Sequence, residues 1–198
     1  MPYKSIGYIS LLILLPSLLI ESLDYFQIIN GFDLRYQRDA ILNGEWWRLL
    51  SGHFDHLGWK HLLLNAAFFT LLLYLFKPLK GVRKTFFLTL VSMWSISAMM
   101  WFFSPEIVWY VGLSGCLYSL LIYAMTLDSR YPLNFRLFAL AVISIKILME
   151  QMQIEFVMVS DFISGPVAVD SHLYGVLVGA AFVIISHLLS KFKTTSPF

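Results

Sequence analysis

Six apolar runs, at about 6–20, 61–76, 86–103, 113–127, 135–149 and 171–190, account for about half of this chain. Each is near or slightly below the ~17–25 residues that span a bilayer as a helix. The 198 residues are 59% hydrophobic and only 13% charged, with a mean hydropathy of +0.74, so a water-soluble globular domain is excluded. The expectation is an all-α polytopic membrane protein: a six-transmembrane-helix bundle, one domain over 1–198, with a long external first loop at 21–59 and no separate soluble domain. Lys4 precedes the first run as in a signal peptide, but no small-x-small pattern follows at Glu21-Ser22-Leu23, so it reads as an uncleaved span. Cys116 is the single cysteine, which rules out an internal disulfide, a cysteine-based zinc site and an iron–sulfur cluster.

The positions of lysine and arginine set the orientation. Lys4, then Lys77, Lys80, Arg83 and Lys84, then Arg130 and Arg136, then Lys191 and Lys193 fall at the N-terminus, in alternate loops and at the C-terminus. The positive-inside rule makes these segments, and both termini, cytoplasmic. The other loops carry Glu106, Glu155, Asp161 and Asp170, although the first also holds Arg35, Arg38 and Arg48. That first connection is long enough to have structure of its own. Its stretch Glu45-Trp46-Trp47-Arg48-Leu49-Leu50 reads as an interfacial helix.

With this topology the second, fourth and sixth runs all enter the bilayer from the outer face. The early residues of those runs are polar: His61 and Asn65; Ser114 in Gly112-Leu113-Ser114-Gly115; and His172 in His172-Leu173-Tyr174-Gly175. They therefore share a side and a depth. A serine hydroxyl needs an adjacent general base to act as a nucleophile, and His172 is the best placed. His61 and Asn65, four apart on one helical face, suit an oxyanion hole, and the Ser114 backbone N–H at a helix start adds a third donor. Gly175 and Gly179 form a small-xxx-small stripe that permits close approach to the run carrying Gly115. Tyr118, one turn after Ser114, is positioned to stack on the His172 ring. Asp170 falls on a different face from His172, so these residues read as a dyad.

Each of these residues also has a plainer reading. A serine in a membrane helix ordinarily bonds back to its own backbone, and an interfacial histidine is ordinarily solvated. Local packing or solvation accounts for His53 and His56, the cytoplasmic end of a helix for His187, and interfacial anchoring for Trp47 and Arg48. Other intramembrane chemistries lack their motifs. There is no His-Glu-x-x-His run for a zinc protease and no pair of intramembrane aspartates. Cys116 stands where the soluble Gly-x-Ser-x-Gly elbow needs glycine. A transporter would want mid-membrane charge, for which Lys146 is the one candidate, and it has the length to snorkel outward.

At these residues the chain resembles the rhomboid intramembrane serine proteases. The family pattern is Trp-Arg in the first external loop, His-x-x-x-Asn, Gly-x-Ser-Gly, and His-x-x-Gly-x-x-x-Gly, matched here by Trp47-Arg48, His61 to Asn65, Gly112 to Gly115 and His172 to Gly179. The resemblance implies a rhomboid-like bundle with Ser114 as nucleophile, His172 as base, and His61 and Asn65 as oxyanion donors. Gly112, Gly115, Tyr118, Gly175, Gly179, Trp47 and Arg48 are then structural support. It implies no cofactor and no metal. The run from Gly44 to Asn65 and the segment Asp170-Ser171-His172-Leu173-Tyr174-Gly175 are similar to the bacterial rhombosortase subgroup. That subgroup implies a multi-pass enzyme of the bacterial inner membrane whose active site opens to the periplasm. Its partners are the lipid bilayer and exported proteins anchored by a C-terminal glycine-rich motif, apolar span and basic cluster, with no nucleic acid. Cleavage near the glycines would release such a protein, with hydrolysis or transfer to a lipid-derived amine. The alternatives are a general rhomboid protease of other single-span proteins and a non-catalytic rhomboid-like protein that binds membrane clients.

Overall fold

The computed structural model describes residues 2–28, 34–154, 157–163 and 165–195. Glu155 lies outside the described residues. Six long helices make the body: α1 (Pro2–Tyr25), α4 (Trp59–Leu75), α5 (Val82–Phe103), α6 (Ser114–Leu127), α7 (Leu133–Gln151) and α9 (Val169–Thr195). Short helices α2 (Arg38–Leu42), α3 (Arg48–Ser51) and α8 (Val157–Ile163) lie in the connections. The six long helices match the six apolar runs. Lys4–Tyr25, Val82–Phe103 and Val169–Phe192 are long and apolar enough to cross a membrane, while Trp59–Leu75 and Ser114–Leu127 are apolar but shorter. α7 carries Arg136, Lys146 and Glu150 along its length.

Local chemistry sets the breaks. Pro132 caps α7 in extended conformation, and Ser104-Pro105 ends α5, as expected where proline removes a backbone donor. Gly58, at φ +105°, admits the turn into α4. α1 continues past the end of its apolar run to Tyr25, so the first connection is shorter than the expected 21–59.

α6 is the buried centre, with Cys116, Leu117, Leu120, Tyr123 and Ala124 all enclosed. It lies closest to α9, where glycine allows it. A Cβ on Gly175 would overlap Gly115 O, and one on Gly179 would stand 2.5 Å from Ser119 O. α7 is peripheral, and Ile147 is its buried residue.

The first connection is fastened down. Tyr36–Gln37 (β1) pairs antiparallel with Trp109–Tyr110 (β2), Tyr36 opposite Tyr110. Gly52 fits between them, since a Cβ there would meet Tyr36 N at 2.5 Å, and its carbonyl accepts from Gly112 N–H at 2.9 Å. Of the two plain readings of His53, packing and solvation, the structure has packing: the residue is fully buried, with Nε2 3.0 Å from both Met93 O and Ser97 Oγ on α5. Burial pushes its pKa down to about 4, which keeps the ring neutral and apt for packing.

Candidate active site

Side-chain and backbone contacts divide the bundle into two ends. At one end the start of α4, the end of α5, the start of α6, the end of α7 and the start of α9 come together, and Glu21 near the end of α1 accepts from the Gly58 backbone. The polar residues singled out in the sequence are at this end.

Ser114 opens α6 two residues after Gly112, whose φ of +111° is a backbone conformation that a side chain rarely adopts. His172 sits in the first turn of α9, buried, with Nε2 3.0 Å from Ser114 Oγ. Its Nδ1 faces the Glu150 carboxylate at 3.1 and 3.2 Å. An ionised carboxylate only accepts, so Nδ1 carries the proton and Nε2 is left to accept from the Ser114 hydroxyl. The Tyr118 ring lies 4.7 Å from the His172 ring, tilted by 45°, and holds its face.

His61 and Asn65 approach from α4. The Leu57 backbone N–H donates to His61 Nδ1 at 3.3 Å, so the neutral ring carries its proton on Nε2. The ring packs directly on Gly112, where a Cβ would stand 2.6 Å from His61 Cε1 and 2.9 Å from Nε2. Asn65 Nδ2 lies 3.7 Å from the same point, and it is buried without a hydrogen-bond partner. Two side-chain donors thus converge beside the residue two places before Ser114. The Ser114 N–H at the helix start has no intrahelical carbonyl to serve and is a third. His56 packs its ring edge-on to His61 at 4.9 Å, and burial, then the His61 neighbour, pushes its pKa down to about 3.

Such an arrangement can deprotonate a hydroxyl, hold the base in one tautomer and receive a developing oxyanion. A family model described as the Rhomboid domain matches residues 43–188. The chain belongs to the rhomboid family. A comparison with curated proteins returned no match. Rhomboids are intramembrane proteases that act on membrane protein substrates within the bilayer, and the match makes this rhomboid a multi-pass membrane protein.

The remaining sequence candidates lie around this end of the rhomboid. Gly115, Gly175 and Gly179 form the α6–α9 contact. Trp47 is exposed, and Arg48 is paired with Glu45 at 2.6 Å and donates to Arg35 O at 2.9 Å. Asp170 stays off His172 and accepts from Ser104 Oγ at 2.5 Å.

Sequence reasoning missed Glu150. The apolar run was closed at 149, one residue before the carboxylate that meets His172. Lys146 also differs from expectation: it does not snorkel outward but pairs with Glu150 and lies 5.0 Å over the Tyr118 ring. The available signal was a Lys and a Glu four apart in an otherwise apolar helix, which share a face.

Proposed function

We propose that this rhomboid is an intramembrane serine endopeptidase in which Ser114 is the nucleophile and His172 the general base. The observation that carries the reading is the 3.0 Å contact from Ser114 Oγ to His172 Nε2, with His61 Nε2 and Asn65 Nδ2 gathered at Gly112 nearby. In this mechanism Ser114 Oγ attacks the scissile carbonyl while its proton passes to Nε2. The oxyanion accepts from His61 Nε2–H, Asn65 Nδ2–H and the Ser114 N–H, donors of a kind worth ~10²–10³ each in rate. The His172 proton then goes to the departing amine nitrogen, leaving an ester on Ser114. Water, or another amine, attacks that ester with its proton returning through His172, and Ser114 is restored.

The proposal extends to topology and substrate. All six long helices cross the inner membrane of a bacterium, the termini are cytoplasmic and the Ser114 end opens to the periplasm, as the alternate basic loops require. The resemblance to rhombosortases makes the substrate an exported protein with a C-terminal glycine-rich motif, an apolar span and a basic cluster. A helical substrate must unwind to expose its carbonyl, and each glycine lowers that cost by ~1 kcal/mol relative to alanine. The basic cluster stays inside by the rule that orients the enzyme itself.

The test is cleavage of such a tail by the purified protein in liposomes, with mass spectrometry of the new C-terminus. Wild type is expected to cut near the glycines, and Ser114→Ala and His172→Ala to abolish the cut. The product mass separates water from an amine as acceptor. Cleavage of unrelated single-span proteins but not this tail would make the enzyme a general rhomboid protease. Tail binding with neither cleavage nor labelling by a fluorophosphonate would replace the protease with a client-binding protein.

A further inference from the structure

Among the described residues, Glu150 supplies the acidic group on His172. Its two oxygens approach Nδ1 at 3.1 and 3.2 Å, and one of them is also paired with Lys146 Nζ one helical turn earlier. Glu150 is half-buried on a helix that otherwise turns apolar residues outward, so this carboxylate is held in place by charge contacts. The Lys146 ammonium in turn rests on the Tyr118 ring, and that ring rests on His172. Glu150, Lys146, Tyr118 and His172 thus close a loop of contacts across α7, α6 and α9.

Resting on the protease reading above, we propose that Glu150 is a positioning residue of this site. It fixes the Nδ1–H tautomer of His172 and balances the positive charge that the ring acquires when the Ser114 proton arrives. Both jobs follow from the contact: a carboxylate at Nδ1 accepts only from N–H, and its negative charge favours the imidazolium. Lys146 holds the carboxylate and compensates its charge, as a charge withdrawn from water requires. The His172 ring has further neighbours among the described residues. Ser114 and Tyr118 face it from α6 and His61 lies within electrostatic range on α4. Asp170 and Tyr174, on α9 itself, are both engaged with Ser104 at the end of α5. The plain alternative is a helix-surface ion pair between residues four apart, for which the contact with His172 is incidental.

The two readings separate in kcat. The full chain in liposomes is assayed on the tripartite tail, with active sites counted by fluorophosphonate labelling. Glu150→Gln is expected to lower kcat per active site by on the order of 10²-fold or more with KM within about twofold, since loss of the orienting acid in a serine–histidine site costs up to ~10⁴. Glu150→Asp keeps the charge but draws it back by one methylene, and it is expected to lose about tenfold in kcat, which serves if the glutamine variant does not fold. A loss carried by KM or by the number of folded sites alone, or a kcat within about threefold of wild type, overturns the proposal and leaves the protease standing. An unreactive wild type sinks both.

Discussion

Asn65 separates catalytic design from packing at the level of one side chain. Its amide nitrogen is buried and has no hydrogen-bond partner, a condition that costs ~1–3 kcal/mol in a folded protein. In the proposed mechanism the acceptor for this donor is the developing oxyanion, which arrives with the substrate. Asn65→Ala is therefore expected to hold or raise the thermal unfolding temperature while lowering cleavage by on the order of 10²–10³-fold. Unfolding followed by circular dichroism in detergent, beside kcat per titrated site, checks both halves. Lost stability with unchanged kcat would return Asn65 to the core. The identity of this residue was legible in the sequence, because His61 and Asn65 are four apart at the start of an apolar run. Its unpaired state was not, since that depends on what Gly112 leaves open.

Helices matter to the site through their separation. Gly175 meets the backbone of α6 where even a methyl group has no room, and it lies three residues after His172. Gly175→Ala is expected to force α9 from α6, to destabilise the fold by about 1–3 kcal/mol, and to slow fluorophosphonate labelling of Ser114. Gly7→Ala on α1, where a Cβ meets nothing within 4 Å, is the control. It is expected to be neutral or stabilising by up to ~1 kcal/mol through helix propensity alone. Equal effects of the two would show that the α6–α9 spacing is not what sets the serine–histidine contact; labelling rates and unfolding curves of both variants decide. The α6–α9 contact was readable because glycines four apart mark one face. α7 was read only as far as its hydropathy ran, and Glu150 was lost because a charge at the edge of an apolar run looks like the end of a helix. For His53 the sequence left packing and solvation open, because its partners Met93 and Ser97 lie forty or more residues away, where no local pattern reaches.

Charge distinguishes the two ends of the whole molecule. At the end away from Ser114, Asp128 ties three segments together. It accepts from Lys77 N–H at 2.9 Å and from Arg130 at 2.8 Å, while Arg130 reaches Leu75 O at 2.7 Å. The Arg130 hydrogen bonds hold its pKa down at about 2, so this clasp is intact at any physiological pH. Lys80, Arg83, Lys84 and Arg136 lie at the same end. The arginines at the Ser114 end are engaged by the fold: Arg38 lies 4.5 Å over the Trp101 ring and donates to its carbonyl, and Arg48 pairs with Glu45. The excess of basic residues at the Asp128 end is the ground for the proposed cytoplasmic orientation of that end. The native chain is well suited to a labelling test, because Cys116 is fully buried and shielded from an impermeant maleimide. Glu106→Cys in the exposed turn before β2 is expected to label in intact spheroplasts. Arg83→Cys, exposed at the start of α5, is expected to label only after lysis. The reverse pattern would open Ser114 to the cytoplasm and remove exported proteins as its substrates. The expected pattern would put the acyl-enzyme on the outer face, where the only acceptors are water and amines of the periplasm or of the outer leaflet.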